Sequence, residues 1–195
     1  MAILSEPGKI LITGATHGIG KAAAELFCSR GWEVYGISGN GEDGRGAAME
    51  KTLPGFHYRV ADVSNEPEIS ALLGRIGQLD AAFNNAGTGI APQKLPEADI
   101  ARARRVIDVN LVGTLICMKY EIAHMPGSGV VVNNASLAAF KAATGADMSY
   151  SASKAGVLAL TAEAAANPEF AGRVSFFSIA PGYIETRMTA ADDKE

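Results

Sequence analysis

The chain has 195 residues, 48% of them hydrophobic, with 22 Gly and 8 Pro. That is room for one ordinary folded unit removing roughly 70% of its unfolded surface from water, which excludes disorder and a collagen-like repeat. Seventeen Lys plus Arg stand against 21 Asp plus Glu, a net charge of −4 with no basic block to track a phosphate backbone, so nucleic acid is not expected as a partner. In chain order, the first apolar run is Lys9 to Thr13, followed by a Gly-punctuated turn. From Ile19 to Arg30 the apolar residues Ile19, Ala22, Ala23, Leu26 and Phe27 recur at helical spacing, and Gly31 supplies the stop. Glu33 to Ser38 reads as a second strand, then a Gly-rich flexible stretch from Gly39 to Gly46, then a third strand, Phe56 to Val60, leading into Asp62 and a short helix. Leu79 to Asn84 is strand four, Ile100 to Ala123 a long helix, Gly129 to Asn134 strand five, Ser149 to Ala166 a second long helix and Arg173 to Ile179 strand six.

Short β-rich runs alternating with helical patterns predict an α/β fold, a doubly wound parallel sheet of about six strands with helices on both faces. Residues 1–188 form one unit and 189–195 a polar tail. Ligands of such sheets gather at the carboxyl ends of the strands, so the chemistry is sought there. The stretch Thr13-Gly14-Ala15-Thr16-His17-Gly18-Ile19-Gly20 lies between the first strand and the first helix. Glycine there lets the backbone turn tightly and approach a pyrophosphate, while the helix start offers free N–H groups and a partial positive charge. A glycine turn alone is also a cheap connector; its place after a strand and before a helix favours a dinucleotide.

Further motifs follow in order: Asn84-Asn85-Ala86-Gly87 after strand four, Asn110-Leu111-Val112-Gly113 in the long helix, Ser136 after strand five, Tyr150-Ser151-Ala152-Ser153-Lys154, and Pro181-Gly182 after strand six. With the Thr-Gly-x-x-x-Gly-x-Gly turn they resemble the short-chain dehydrogenase/reductase family over residues 9–188. The resemblance implies a Rossmann-type fold and a nicotinamide-dependent oxidation or reduction of a small alcohol or carbonyl. It also implies that Gly14, Thr16, His17, Gly18, Ile19 and Gly20 shape the pyrophosphate turn, that Asp62 and Val63 touch adenine, and that Asn84, Ala86 and Gly87 border its ribose. Pro181 and Gly182 would border the cofactor, Ile184 would meet the nicotinamide carboxamide, and Thr186 a phosphate or that carboxamide. Asp62 also reads as a helix cap, and Asn84 with Asn85 as groups satisfying backbone at a strand end.

The acidic residue expected about 20 positions beyond the glycines to hold a ribose 2′-hydroxyl is missing, and Ser38 stands at that place. With His17, Asn40 and Arg45 nearby as donors, this tilts the expectation toward NADP, with NAD as the alternative.

Tyr150 and Lys154 are four apart in a helical pattern, so their side chains rise from one face. A free phenol has a pKa near ~10, too high for efficient proton exchange at neutral pH, and an adjacent ammonium favours the phenolate. On this reading Tyr150 exchanges a proton with the substrate oxygen, Lys154 lowers its pKa and holds the nicotinamide ribose, and Ser136 bonds the same oxygen. The resemblance gives Asn110 a water linking Lys154 to solvent. No metal is expected: His57 and His124 lack partners at a ligating spacing. Met188 reads as a residue lining the substrate pocket, and Leu137, Ala138, Ala143 and Tyr183 as loop residues setting specificity.

Family members usually continue beyond Pro181-Gly182 through a helical lid and a seventh strand, which the polar end at Glu195 does not supply; the expectation is a pocket open on one side and strand six as a bare edge. The segment between Asp62 and Asn84 also looks shorter than usual. Small residues on the helices carrying Asn110 and Tyr150 permit close approach, and the outer faces of these helices are expected to form a homodimer. Cys28 and Cys117 read as buried thiols of a reducing compartment, no secretory signal opens the chain, and no apolar run reaches the ~18 residues of a membrane span, so a cytoplasmic location is expected. The competing reading is a cofactor-binding protein of the same fold without robust turnover, in redox sensing or assembly; a third is an isomerase or dehydratase using the nucleotide transiently. Intact Ser136, Tyr150, Lys154 and Asn110 favour the oxidoreductase.

Overall fold

Period-two alternation in the first strand, β1 (Lys9–Thr13), sets the layering: Ile10 and Ile12 point to one side of the sheet and Leu11 to the other, each at most 2% exposed. The computed structural model describes residues 6–39, 44–141 and 147–186. Its other strands are β2 (Glu33–Ser38), β3 (Phe56–Val60), β4 (Ala81–Asn84), β5 (Gly129–Asn134) and β6 (Val174–Ile179). All pairings are parallel, in the order β3-β2-β1-β4-β5-β6. Around the sheet lie α1 (Gly18–Ser29), α2 (Arg45–Thr52), α3 (Glu66–Ile76), α4 (Ile100–Ile107), α5 (Gly113–Ala123) and α6 (Met148–Ala166).

Ile10, Ile12, Val34, Phe56 and Phe83 pack with Ala24 of α1 and Met49 of α2 on one face. Leu11, Ile37 and Val131 pack with Ile69 and Leu73 of α3 and with Cys117 and Met118 of α5 on the other. The sheet is therefore doubly wound, and the strand order reverses between β1 and β4, which opens a crevice at their carboxyl ends.

Several expectations shift in detail. The long helix is two helices joined by a π turn over Asp108–Val112, with Asn110 inside it. A helix, α2, begins at Arg45, where glycines suggested a flexible stretch; its N-cap Gly44 takes a left-handed φ of 66° that hides the start from pattern reading. Asp62 is not the cap of α3: Asn65 is, accepting from the Glu68 N–H at 3.4 Å and donating to its carboxylate at 2.6 Å. β4 begins at Ala81 and β6 at Val174, each later than the apolar pattern suggests. Cys28 and Cys117 are free thiols, the latter buried. Among the described residues no helix is long and apolar enough to cross a membrane, and no group of His, Cys, Asp or Glu is placed to hold a metal.

Candidate active site

The crevice is a cavity of about 750 Å³ running along the carboxyl ends of the strands. One wall is the turn after β1. Gly14 adopts φ 66°, and a Cβ on it would sit 2.9 Å from the Ala86 Cα, so only glycine lets the turn after β1 nest against the turn after β4. Gly20 is needed more strictly, since a Cβ there would lie 2.2 Å from the Gly14 carbonyl oxygen. The Thr13 hydroxyl ties the two turns by accepting from the N–H groups of Asn85 and Ala86, each at 2.9 Å. Helix α1 has no side-chain cap and no acidic residue in its first turn, whereas α3, α4 and α6 are capped by Asn65, Asp99 and Asp147. An uncapped helix start of this kind can accept an anion, and Thr16, His17, Gly18 and Ile19 border the cavity.

Ser136, Tyr150 and Lys154 line the same cavity, with Ser136 hydrogen-bonded to Tyr150. Lys154 is 4% exposed; its Nζ donates to the Asn134 carbonyl at 2.7 Å and lies 5.8 Å from the centre of the Tyr150 ring. Burial disfavours the ammonium and pulls its pKa down to about 8. Burial also pushes the Tyr150 phenol above its ordinary value, and a hydrogen bond with Ser136 takes back part of that rise. The expected lowering of this phenol by Lys154 is not seen in the protein alone, where burial outweighs the Ser136 bond.

Of the residues singled out from sequence, Ser38, Asp62, Val63, Ala86, Gly87, Pro181, Gly182, Ile184 and Thr186 also line the cavity, with Gly14 and the residues already placed there. Gly20, Asn84 and Asn110 do not. Gly20 packs behind the turn. Asn84 is buried beneath it, donating to Glu121 at 2.9 Å and to the Asn133 side chain at 3.0 Å. Asn110 is fully buried and spends its amide on scaffold: it accepts from the Thr88 N–H at 2.8 Å and donates to the Thr88 carbonyl at 2.9 Å and to Ser153 at 3.0 Å, joining the loop after β4 to the helix of Tyr150. Arg45 opens α2 outside the cavity lining. Asn40, Ala143 and Met188 lie outside the described residues.

Sequence reasoning missed Asn134 and Arg105. Asn134 donates to the Asn85 side chain at 2.8 Å, and Asn85 donates to the carbonyls of Thr13 and Gly14, so two amides link the Lys154 anchor to the glycine turn. Arg105, on α4, reaches the cavity by pairing with Asp62 at 2.7 Å. The doubled Asn in Asn84-Asn85 and Asn133-Asn134 was the available signal for the first; a pair 43 positions apart leaves none for the second.

The model of the short chain dehydrogenase family matches residues 8–195. The chain belongs to the short-chain dehydrogenases. As such it is an NAD(P)-dependent oxidoreductase. This short-chain dehydrogenase is 36% identical over 187 residues to cis-4-hydroxycyclohexanecarboxylate dehydrogenase of Sinomonas cyclohexanicum, covering 92% of this chain and 74% of that one. It is also 36% identical over 195 residues to the mitochondrial borneol dehydrogenase of Lavandula x intermedia, covering 95% and 73%. Among solved structures, levodione reductase superposes with a TM-score of 0.85 at 30% identity, covering 96% of this chain and 76% of that one. A short-chain dehydrogenase from Burkholderia phymatum in complex with NAD gives 0.86 at 27% identity, covering 96% and 69%. The uncapped start of α1 and the glycine turn pressed against Ala86 fit the phosphates of such a dinucleotide.

Proposed function

We propose that this short-chain dehydrogenase interconverts a small secondary alcohol and its carbonyl compound with Tyr150 as the acid and base. The observation that carries the reading is that Ser136, Tyr150 and Lys154 line one cavity together with the glycine turn and the uncapped start of α1. The dinucleotide supplies the hydride, and in its oxidised form a positive ring beside the phenol. A Tyr150 phenol kept protonated by burial is in the right state to donate to a carbonyl oxygen as negative charge develops there. The Ser136 hydroxyl bonds that same oxygen, and the Lys154 amine is close enough to hold a ribose and steady the phenolate.

Asp62 and Val63 then lie at the adenine end, with Ser38 beyond. Ser38 stands where a carboxylate would repel a 2′-phosphate, and His17 borders the cavity; both favour NADP over NAD. The substrate class is a cyclic alcohol or ketone: similar proteins are named for a hydroxycyclohexanecarboxylate and a dichlorocyclohexadienediol, and the exposed apolar Leu137 and Tyr183 stand next to Ser136 and Gly182. The assembly is a homodimer through α5 and α6 in a reducing cytoplasm, with residues 1–188 acting as one catalytic unit.

The deciding experiment follows cofactor absorbance with hydroxycyclohexanes and cyclohexanones, using NADPH and NADH. Turnover is expected with the higher kcat/KM for NADPH, and Tyr150→Phe is expected to lose at least ~1000-fold in kcat while binding the reduced cofactor within about twofold of wild type. Undiminished turnover in that variant overturns the role of Tyr150; cofactor binding without turnover on any carbonyl tested favours the sensing reading.

A further inference from the structure

Arg105 is half-exposed on α4, yet its guanidinium is fixed at both ends of its fork. Nη2 donates to Asp62 Oδ2 at 2.7 Å and Nη1 to the Ser64 hydroxyl at 2.7 Å. Ser64 in turn donates to Asp62 Oδ1 twice, from its N–H at 3.0 Å and its hydroxyl at 2.7 Å. A carboxylate has about four lone-pair sites. Three are occupied here, both on Oδ1 and one on Oδ2, so a single acceptor remains on the oxygen that Arg105 holds. Asp62 and Arg105 both border the cavity, beside Val63 and Val109.

We infer that Arg105 is a positioning residue for base recognition: it clamps Asp62 so that the one remaining acceptor meets the 6-amino group of adenine. The inference rests on the placement of adenine at Asp62 proposed above. A rigid acceptor rejects a base that presents an acceptor of its own, because two lone pairs would face each other with no proton between them. Hypoxanthine differs from adenine in this way, carrying an oxygen where adenine carries the amine. A carboxylate released from its clamp turns to water and tolerates both bases. The planar guanidinium, with its charge balanced by Asp62, also offers a flat face beside the base that Lys would not reproduce. Burial alone would raise the Asp62 carboxyl, but the bonds from Ser64 and Arg105 outweigh it and hold the group below its ordinary value, so the acceptor stays ionised at neutral pH.

The test measures dissociation constants of the full chain by quenching of protein fluorescence. The probes are the reduced adenine dinucleotide, its nicotinamide hypoxanthine analogue carrying the same 2′ group, and reduced nicotinamide mononucleotide, which lacks the base. Wild type is expected to prefer adenine by about tenfold, the scale of one hydrogen bond to a charged group. In Arg105→Met the preference falls to within about twofold, Arg105→Lys restores part of it, and mononucleotide affinity stays at the wild-type value in both. A general loss of structure would weaken the mononucleotide as well. If Asp62→Asn loses the preference while Arg105→Met keeps it, the clamp is wrong and the placement of adenine stands. If Asp62→Asn keeps it, the placement itself fails. A loss in Arg105→Met confined to NADPH relative to NADH, with the base preference intact, makes Arg105 a phosphate ligand and overturns the inference.

Discussion

Lys154 is a buried amine tied to a carbonyl, and its burial sets how the site responds to pH. Burial pulls its pKa down to about 8, so in the proposed role its charge beside Tyr150 is lost just above neutrality. Carbonyl reduction at saturating reduced cofactor is therefore expected to decline above about pH 8. Lys154→Arg, whose guanidinium stays protonated throughout, should show no such limb even if its maximal rate is lower. A wild-type kcat/KM profile flat through pH 9.5 would contradict this. The anchor of the amine is itself held: Asn134 binds Asn85, and Asn85 binds the glycine turn, so a shift of that turn is felt at Lys154 through two amides.

Helices α5 and α6 border a groove of about 540 Å³, lined by Leu115, Met118, Ile122 and Leu160 together with Lys119 and Glu163. Leu115 is 49% exposed, a cost that a symmetric partner would remove. Light scattering is expected to give twice the chain mass at micromolar concentration, and Leu115→Asp to halve it without unfolding the protein; a wild-type monomer would sink the dimer. At this scale the sequence was read best where period and punctuation agree. All six strands stand within two residues of their predicted bounds, because parallel strands buried on both faces are short apolar runs between glycines and polar turns. What escaped depends on tertiary context. The α2 helix starts from a left-handed glycine, the π turn leaves no pattern in side-chain type, and the Asp62 to Arg105 pair joins segments that only the folded sheet brings together. Asn84 and Asn110 were recognisable as motif residues, yet their amides serve the scaffold beneath the cavity rather than its lining, a distinction that spacing does not carry.

A marked electrostatic tension lies away from the chemistry. Glu121 of α5 is fully buried under β4 and β5, facing Asn84, with Cys117 on its own helix. Burial pushes its pKa up to about 8, and the Asn84 bond offsets little of that rise. The folded protein thus keeps a proton that the unfolded chain releases from about pH 4.5, so this group lowers stability progressively between about pH 4.5 and 8. Glu121→Gln removes the penalty: melting followed by circular dichroism is expected to rise by about 5 °C at pH 8 and hardly at pH 5. Parallel shifts at both pH values would refute the assignment. The π turn at Asp108–Val112 connects this buried acid to the cavity in another sense. Each residue of helix adds ~100° of rotation, so the extra residue in that turn sets the phase between α4, which aims Arg105 at the crevice, and α5, which aims Glu121 at the core. Deleting one residue there would leave both helices intact and put one of them out of step, which makes the segment intolerant of length change.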